Sequence, residues 1–226
     1  ATTAEEQFTP ASNLAPGIHV LKVKGVDRAG NTGDELVFGD VKIDITAPEP
    51  PQAPYTQSPT NNRRPEWTWP VVHGAVRYNV YLDGALQGQV LPSDTPGTPP
   101  AWAPADGAEL AEGRYYLQVT AVNDLGNESE KSAPGFVDID LTSPAAPVMQ
   151  ALPEFTNKSE VLFQWEAEAD AVRFVLRYVV GDEDHTEVPV GVKRYELGIS
   201  EFEDGITIQA MVRAFDDAGN AGDWSG

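Results

Sequence analysis

The chain has 226 residues, no cysteine and a formal charge of −20 at pH 7, which excludes a disulfide scaffold and a thiolate metal site. So negative a balance argues against nucleic acid, whose binding is driven by Lys and Arg neutralising phosphates, and against anionic membrane surfaces. A 41% hydrophobic content with five tryptophans and seven tyrosines marks a folded chain rather than an acidic tail, and no apolar run approaches the ~20 residues needed to span a bilayer.

In chain order, the first clear signal is the turn Asp27-Arg28-Ala29-Gly30-Asn31, followed by Ile43-Asp44-Ile45-Thr46-Ala47-Pro48. Trp67 and Trp69 come next, then Val76, Tyr78, Val80 and Leu82 alternating with Arg77 and Asn79. After an irregular Pro-rich stretch from Leu91 to Pro104, Tyr115, Leu117, Val119 and Ala121 alternate with Arg114, Gln118 and Thr120. Period-2 patterns of this kind predict strands with one buried face, and no stretch carries a helical stripe.

The signals then repeat. Thr60-Asn61 recurs as Thr156-Asn157, Trp67 and Trp69 as Phe163 and Trp165, and Val76-Arg77-Tyr78 as Val172-Arg173-Phe174, all at a spacing of 96 residues. Gly30-Asn31 and Gly126-Asn127 share that spacing, as do the segments Ile43–Pro48 and Ile139–Pro144, whereas Ala218-Gly219-Asn220 falls three residues early. A unit of this size built of short strands has the length of a seven-stranded Greek-key sandwich. The expected architecture is all-β: a partial unit over 1–47 supplying only strands E to G, a complete unit over 48–143, and a unit over 144–226 without its last strand. On this reading the chain is an excerpt of a longer array. Mutual completion of the two partial units between molecules fits less well, because one lacks A to D and the other lacks G. The junctions, Thr46-Ala47-Pro48 and Thr142-Ser143-Pro144, leave no flexible linker, so an elongated, semi-rigid rod is expected.

The run Leu110–Asn123, with Gly126-Asn127 and Ser129 after it, resembles the E–F corner and F strand of fibronectin type III domains, and Trp69 with Tyr78 resembles that family's strand B tryptophan and strand C tyrosine. The Asp-x-Thr-x-Pro junctions and the turns Asp27–Asn31 and Asp216–Asn220 resemble the immunoglobulin-like repeats of large bacterial surface adhesins. The resemblance implies tandem immunoglobulin-like or fibronectin type III-like sandwiches, extracellular, on a bacterial cell surface. His19 and Ile208 replace the corner tyrosine, so a hydrogen-bonded tyrosine corner is expected only at Tyr115.

The sharpest candidate site is for calcium, which takes six to eight oxygen ligands. In such a sandwich the end of strand G meets the B–C and F–G loops of the next unit. At the second junction this would gather Asp140, Glu166, Glu168, Asp170, Asp216 and Asp217; at the first, Asp44 and Asp124, where the B–C loop Val71-Val72-His73-Gly74 adds no carboxylate. The competing reading is a solvated acidic face, with Asp44 and Asp140 bonding nearby backbone amides to set a turn.

Trp67, Trp69 and Trp165 fall on an inward register and read as core, whereas Trp102 and Trp224 remain candidates for ligand stacking. Tyr81 and Tyr116 are expected on outer sheet faces. His19, His73 and His185 lie in three different units, and neither a zinc spacing nor a Ser-His-Asp arrangement is present. Asn127-Glu128-Ser129 and Asn157-Lys158-Ser159 match the glycosylation sequon. The expected role is non-enzymatic: an extender segment of a large secreted or cell-surface adhesin whose partners are its own neighbouring repeats, with any glycan or protein ligand held elsewhere in the full protein. A glycan- or protein-binding module and an accessory spacer of a secreted polysaccharide-degrading enzyme are the alternatives.

Overall fold

The computed structural model describes residues 9–226, apart from the side chains of residues 184–188. No helix occurs among the described residues. The first unit contributes a hairpin, β1 (Gly17–Val26) and β2 (Thr32–Ile43), paired antiparallel from Gly17↔Ile43 to Val26↔Thr32. Its apolar residues, Ile18, Val23 and Val41 among them, are exposed. The strand E expected ahead of the hairpin has its repeat counterpart at residues 5–6, outside the described residues.

The second unit is built of β3 (Trp67–Thr68), β4 (Arg77–Leu82), β5 (Ala85–Val90), β6 (Ala101–Trp102), β7 (Gly113–Val122) and β8 (Gly135–Ile139). One sheet pairs β3 with β6 and gains an edge where Tyr55 bridges Thr68; the other runs β5-β4-β7-β8. The third unit repeats the plan with β9 (Val148–Met149), β10 (Glu160–Glu166), β11 (Arg173–Val180), β12 (Glu183–Val190), β13 (Arg194–Gly198), β14 (Ile208–Phe215) and β15 (Ala221–Trp224), in sheets β13-β10-β9 and β12-β11-β14-β15. In strand letters the second unit opposes an A-B-E sheet to a C′-C-F-G sheet, and the third opposes an A-B-E sheet to C′-C-F with β15 beside the end of F. The Pro-rich segment is the crossover from β5 to β6, as its irregular composition predicts, because proline removes ladder donors.

The second and third units each bury a core of their own, since one face of each sheet is apolar and must be covered by the other. The second core centres on Trp67, Trp69, Tyr78, Val80, Leu117, Val119 and Val137; the third on Phe163, Trp165, Phe174, Leu176 and Val212. The same edge-on aromatic contact anchors both: Trp69 against Tyr78 and Trp165 against Phe174, each with ring centroids 5.6 Å apart. A serine closes each F strand. Val119 N–H donates to Ser132 Oγ at 3.1 Å, and Val212 N–H to Ser225 Oγ at 3.0 Å.

One expectation is corrected. Tyr115 packs partly buried against the second core, but its hydroxyl has no hydrogen-bond partner among the described residues. The bonded hydroxyl is that of Tyr78, which accepts from Val72 N–H at 2.8 Å and ties the B–C loop to strand β4. Burial raises the Tyr78 phenol above its ordinary range, and the Val72 amide partly offsets this.

Separate cores predict separate unfolding. Leu117→Ala should destabilise the second unit, and Leu176→Ala the third, each by about 2–5 kcal/mol. In calorimetry each variant should lower its own transition and leave the other in place.

Candidate functional site

The units meet at the end of one G strand and the F–G turn of the next, and that turn is the same structure three times. Gly30 N–H donates to Asp27 C=O at 3.1 Å, Gly126 to Asn123 at 3.1 Å and Gly219 to Asp216 at 3.3 Å. These glycines have φ of 91°, 87° and 92°, in the left-handed region that only glycine adopts freely. The side chain four residues before the closing asparagine pins that asparagine's backbone. Asp27 Oδ1 accepts from Asn31 N–H at 2.8 Å, Asn123 Oδ1 from Asn127 N–H at 2.9 Å, and Asp216 Oδ1 from Asn220 N–H at 2.8 Å.

With its backbone fixed, the closing asparagine aims its amide at the preceding unit. Asn127 Nδ2 donates to Asp44 C=O at 3.0 Å and to Thr46 C=O at 3.2 Å, and Asn123 Nδ2 adds a bond to Thr46 C=O at 2.9 Å. At the second junction Asn220 Nδ2 donates to Asp140 C=O at 2.9 Å and to Asp216 Oδ2 at 2.9 Å. Asn61 N–H, from the preceding unit, also donates to Ala218 C=O at 3.1 Å. Asn220 and Asp216 are both 8% exposed, so these bonds are shielded from water.

The carboxylates of the expected calcium sites are placed differently from that expectation. Asp44 and Asp140 turn back on their own chain, accepting from Thr46 N–H and Thr142 N–H at 3.0 Å each. Both oxygens of Asp216 accept from Asn220. Asp124, Asp217, Glu166, Glu168 and Asp170 are exposed. Among the described residues no three Asp, Glu or His side chains gather closely enough to hold a metal ion, so neither constellation is assembled. The local reading of Asp44 and Asp140 as turn-setting residues is the arrangement observed. The Thr46 amide and, after it, Lys42 at 3.0 Å hold the Asp44 carboxyl down to about 2.

The aromatic candidates Trp102 and Trp224 are both half-buried. Trp102 pairs across from Trp67 and flanks the second core, and the Arg213 guanidinium lies 4.9 Å from the Trp224 ring centre. On the outer faces, Lys131 Nζ sits 3.9 Å over Tyr81 and Arg114 4.8 Å over Phe136. In the sequon Asn127-Glu128-Ser129 every side chain is engaged: Asn127 in the joint, Glu128 with Asn79, Tyr81 and Thr120, and Ser129 with Ala121 N–H.

No protein-family model matches the sequence, and no curated protein is similar to it. Solved structures are similar at low identity. The FN1–FN3 domains of chicken CNTN1 superpose with a TM-score of 0.47 at 16% identity, covering 91% of this chain and 74% of that one. The fibronectin(III)-like modules of Clostridium thermocellum CbhA give 0.41 at 17% identity, covering 76% and 90%. The central fibronectin-III array of RIM-binding protein gives 0.31 at 17%, covering 74% and 63%. The strand order observed in this chain carries the assignment. The fold is a fibronectin type III-like sandwich.

Two predictions test the joints. Asn220→Ala removes the bond to Asp140 and leaves buried Asp216 short of a donor, which should cost about 1–3 kcal/mol, read as a lower melting temperature of the third unit. Because Asp44 is depressed in the fold, its contribution is complete above the ordinary aspartate value near ~3.9 and is lost as pH falls toward about 2. Carboxyl NMR should therefore place the Asp44 midpoint at about 2, and Lys42→Ala should raise it only part-way, since the Thr46 amide remains.

Proposed function

We propose that this chain is an extender segment of a secreted or cell-surface protein, spacing other parts of that protein by stacking fibronectin type III-like units through short, hydrogen-bonded joints. The observation that carries the reading is the repeated asparagine contact: Asn127 to the carbonyls of Asp44 and Thr46, and Asn220 to that of Asp140. Such contacts limit how one unit swings on the next, which a spacer needs and a flexible tether does not. Two further features support it. The formal charge of −20 keeps an extended surface soluble, and basic side chains lie over the outer aromatic rings Tyr81 and Phe136.

In this reading the joints hold through protein donors and acceptors, not through calcium. Small-angle scattering of the chain should give an elongated particle whose maximum dimension is the same with millimolar calcium and with chelator. Asn127→Ala combined with Asn220→Ala should broaden the distance distribution without unfolding either sandwich. A particle that lengthens and melts higher when calcium is added would overturn the cation-free joint. A wild-type particle as flexible as the double variant would overturn the spacer reading itself.

A further inference from the structure

The same crossover between sheets is built at two lengths. In the third unit the chain passes from β12 to β13 through residues 191–193. In the second unit residues 91–100 separate β5 from β6. A sandwich of the same plan therefore closes without the longer connection. That connection reads Leu-Pro-Ser-Asp-Thr-Pro-Gly-Thr-Pro-Pro, and residues 93–99 are exposed, so it adds nothing to the core.

The segment is nevertheless shaped. Thr98 N–H donates to Thr95 C=O at 3.2 Å across Pro96 and Gly97, and Gly97 has φ of 84°. Proline cannot take a positive φ, so this is a type II turn with proline and then glycine at its centre. Thr95 and Thr98 stand at its two ends. Each precedes a proline, which disfavours helical backbone and holds the threonine extended. Neither hydroxyl has a hydrogen-bond partner among the described residues. By contrast, Ser93 Oγ accepts from Thr95 N–H at 3.1 Å, and Ser58 Oγ, also before a proline, accepts from Asp138 N–H at 2.9 Å. A hollow of about 440 Å³ between this segment and Pro70 and Val71 leaves room for a bulky group beside either threonine.

We propose that Thr95 and Thr98 are O-glycosylation sites. Threonine interspersed with proline, with no face to pack, is the composition of O-glycosylated stalks. In the transfer, threonine Oγ1 attacks the anomeric carbon of a sugar carried on a phosphate leaving group. The glycosidic C–O bond forms as the bond from that carbon to the phosphate oxygen breaks. The phosphate departs with the electron pair, and the hydroxyl proton passes to a base of the transferase. The sequon at Asn127 cannot serve the same end, because its amide is engaged in the joint. The inference rests on the extender reading. Exposed loop tips of small and polar residues are preferred sites of proteolytic nicking, and sugars flanking the turn would shield a segment that an extracellular spacer must keep intact.

The test is mass spectrometry of the full protein secreted by its native host, beside the bare chain made by cell-free synthesis. Host-derived peptides spanning residues 88–107 should exceed their sequence mass by whole hexose or N-acetylhexosamine residues, and alkaline β-elimination should remove the excess. The variant Thr95→Ala with Thr98→Ala, expressed in the same host, should lack it. Made cell-free, that variant should melt with the bare wild-type chain, since neither hydroxyl is bonded in the fold. An unmodified segment in the host protein, an added phosphate in place of sugar, or sugar confined to Asn157 would each overturn the proposal. The extender reading is tested apart from it, because scattering from the bare chain needs no sugar.

Discussion

A single constraint sets the geometry of both joints: a polar side chain locks the backbone of the asparagine four residues ahead of it. Asp216 and Asn123 each bond the N–H of that asparagine within 3.0 Å, and a left-handed glycine before it closes the turn. The amide of Asn127 or Asn220 is thereby left to reach outward from a rigid base. Freezing a free asparagine on a loop would cost side-chain entropy that one hydrogen bond barely offsets. Here most of that ordering is already done inside the unit.

The division of labour follows from burial. Apolar area is enclosed within each sandwich, around Trp69 and Tyr78 in one and Trp165 and Phe174 in the other, and the contacts between units are polar. A large apolar contact would fuse the units into one cooperative block. A few hydrogen bonds, shielded at the second joint and more open at the first, link the units while the second and third each fold on a core of their own. In the acidic surroundings, the asparagines add no further negative charge where two units come together.

Much of the fold was legible in the sequence. The inward register of Trp67, Trp69 and Trp165 and the alternation through Leu117 and Val119 follow from strand periodicity alone, and the 96-residue spacing exposed the repeat. The joint was half legible. Its location followed from the Asp-x-Thr-x-Pro segments and the Gly-Asn turns, whereas the asparagine contacts did not, because a count of carboxylates does not show which oxygen atoms are engaged within the chain. Asp216 is committed to Asn220, and Asp44 and Asp140 to amides two residues on. The signal that would have found the joint is the spacing of Asp or Asn four residues before Asn, present at 27 and 31, 123 and 127, and 216 and 220.

The asparagines that reach the preceding unit, Asn123, Asn127 and Asn220, bond there to main-chain carbonyls. Every residue type presents the same carbonyl, so the receiving end of a joint places little demand on side-chain identity beyond holding its turn. A unit bearing the F–G turn can therefore follow any unit whose G strand ends in the same backbone shape. Duplication, deletion or reordering of units would leave each new boundary with a working contact, and sequence drift between neighbours need not be matched across it. The two junctions already differ in this way: Asn123 reaches Thr46 at the first, its counterpart at the second is Asp216, and the asparagine contact survives the exchange.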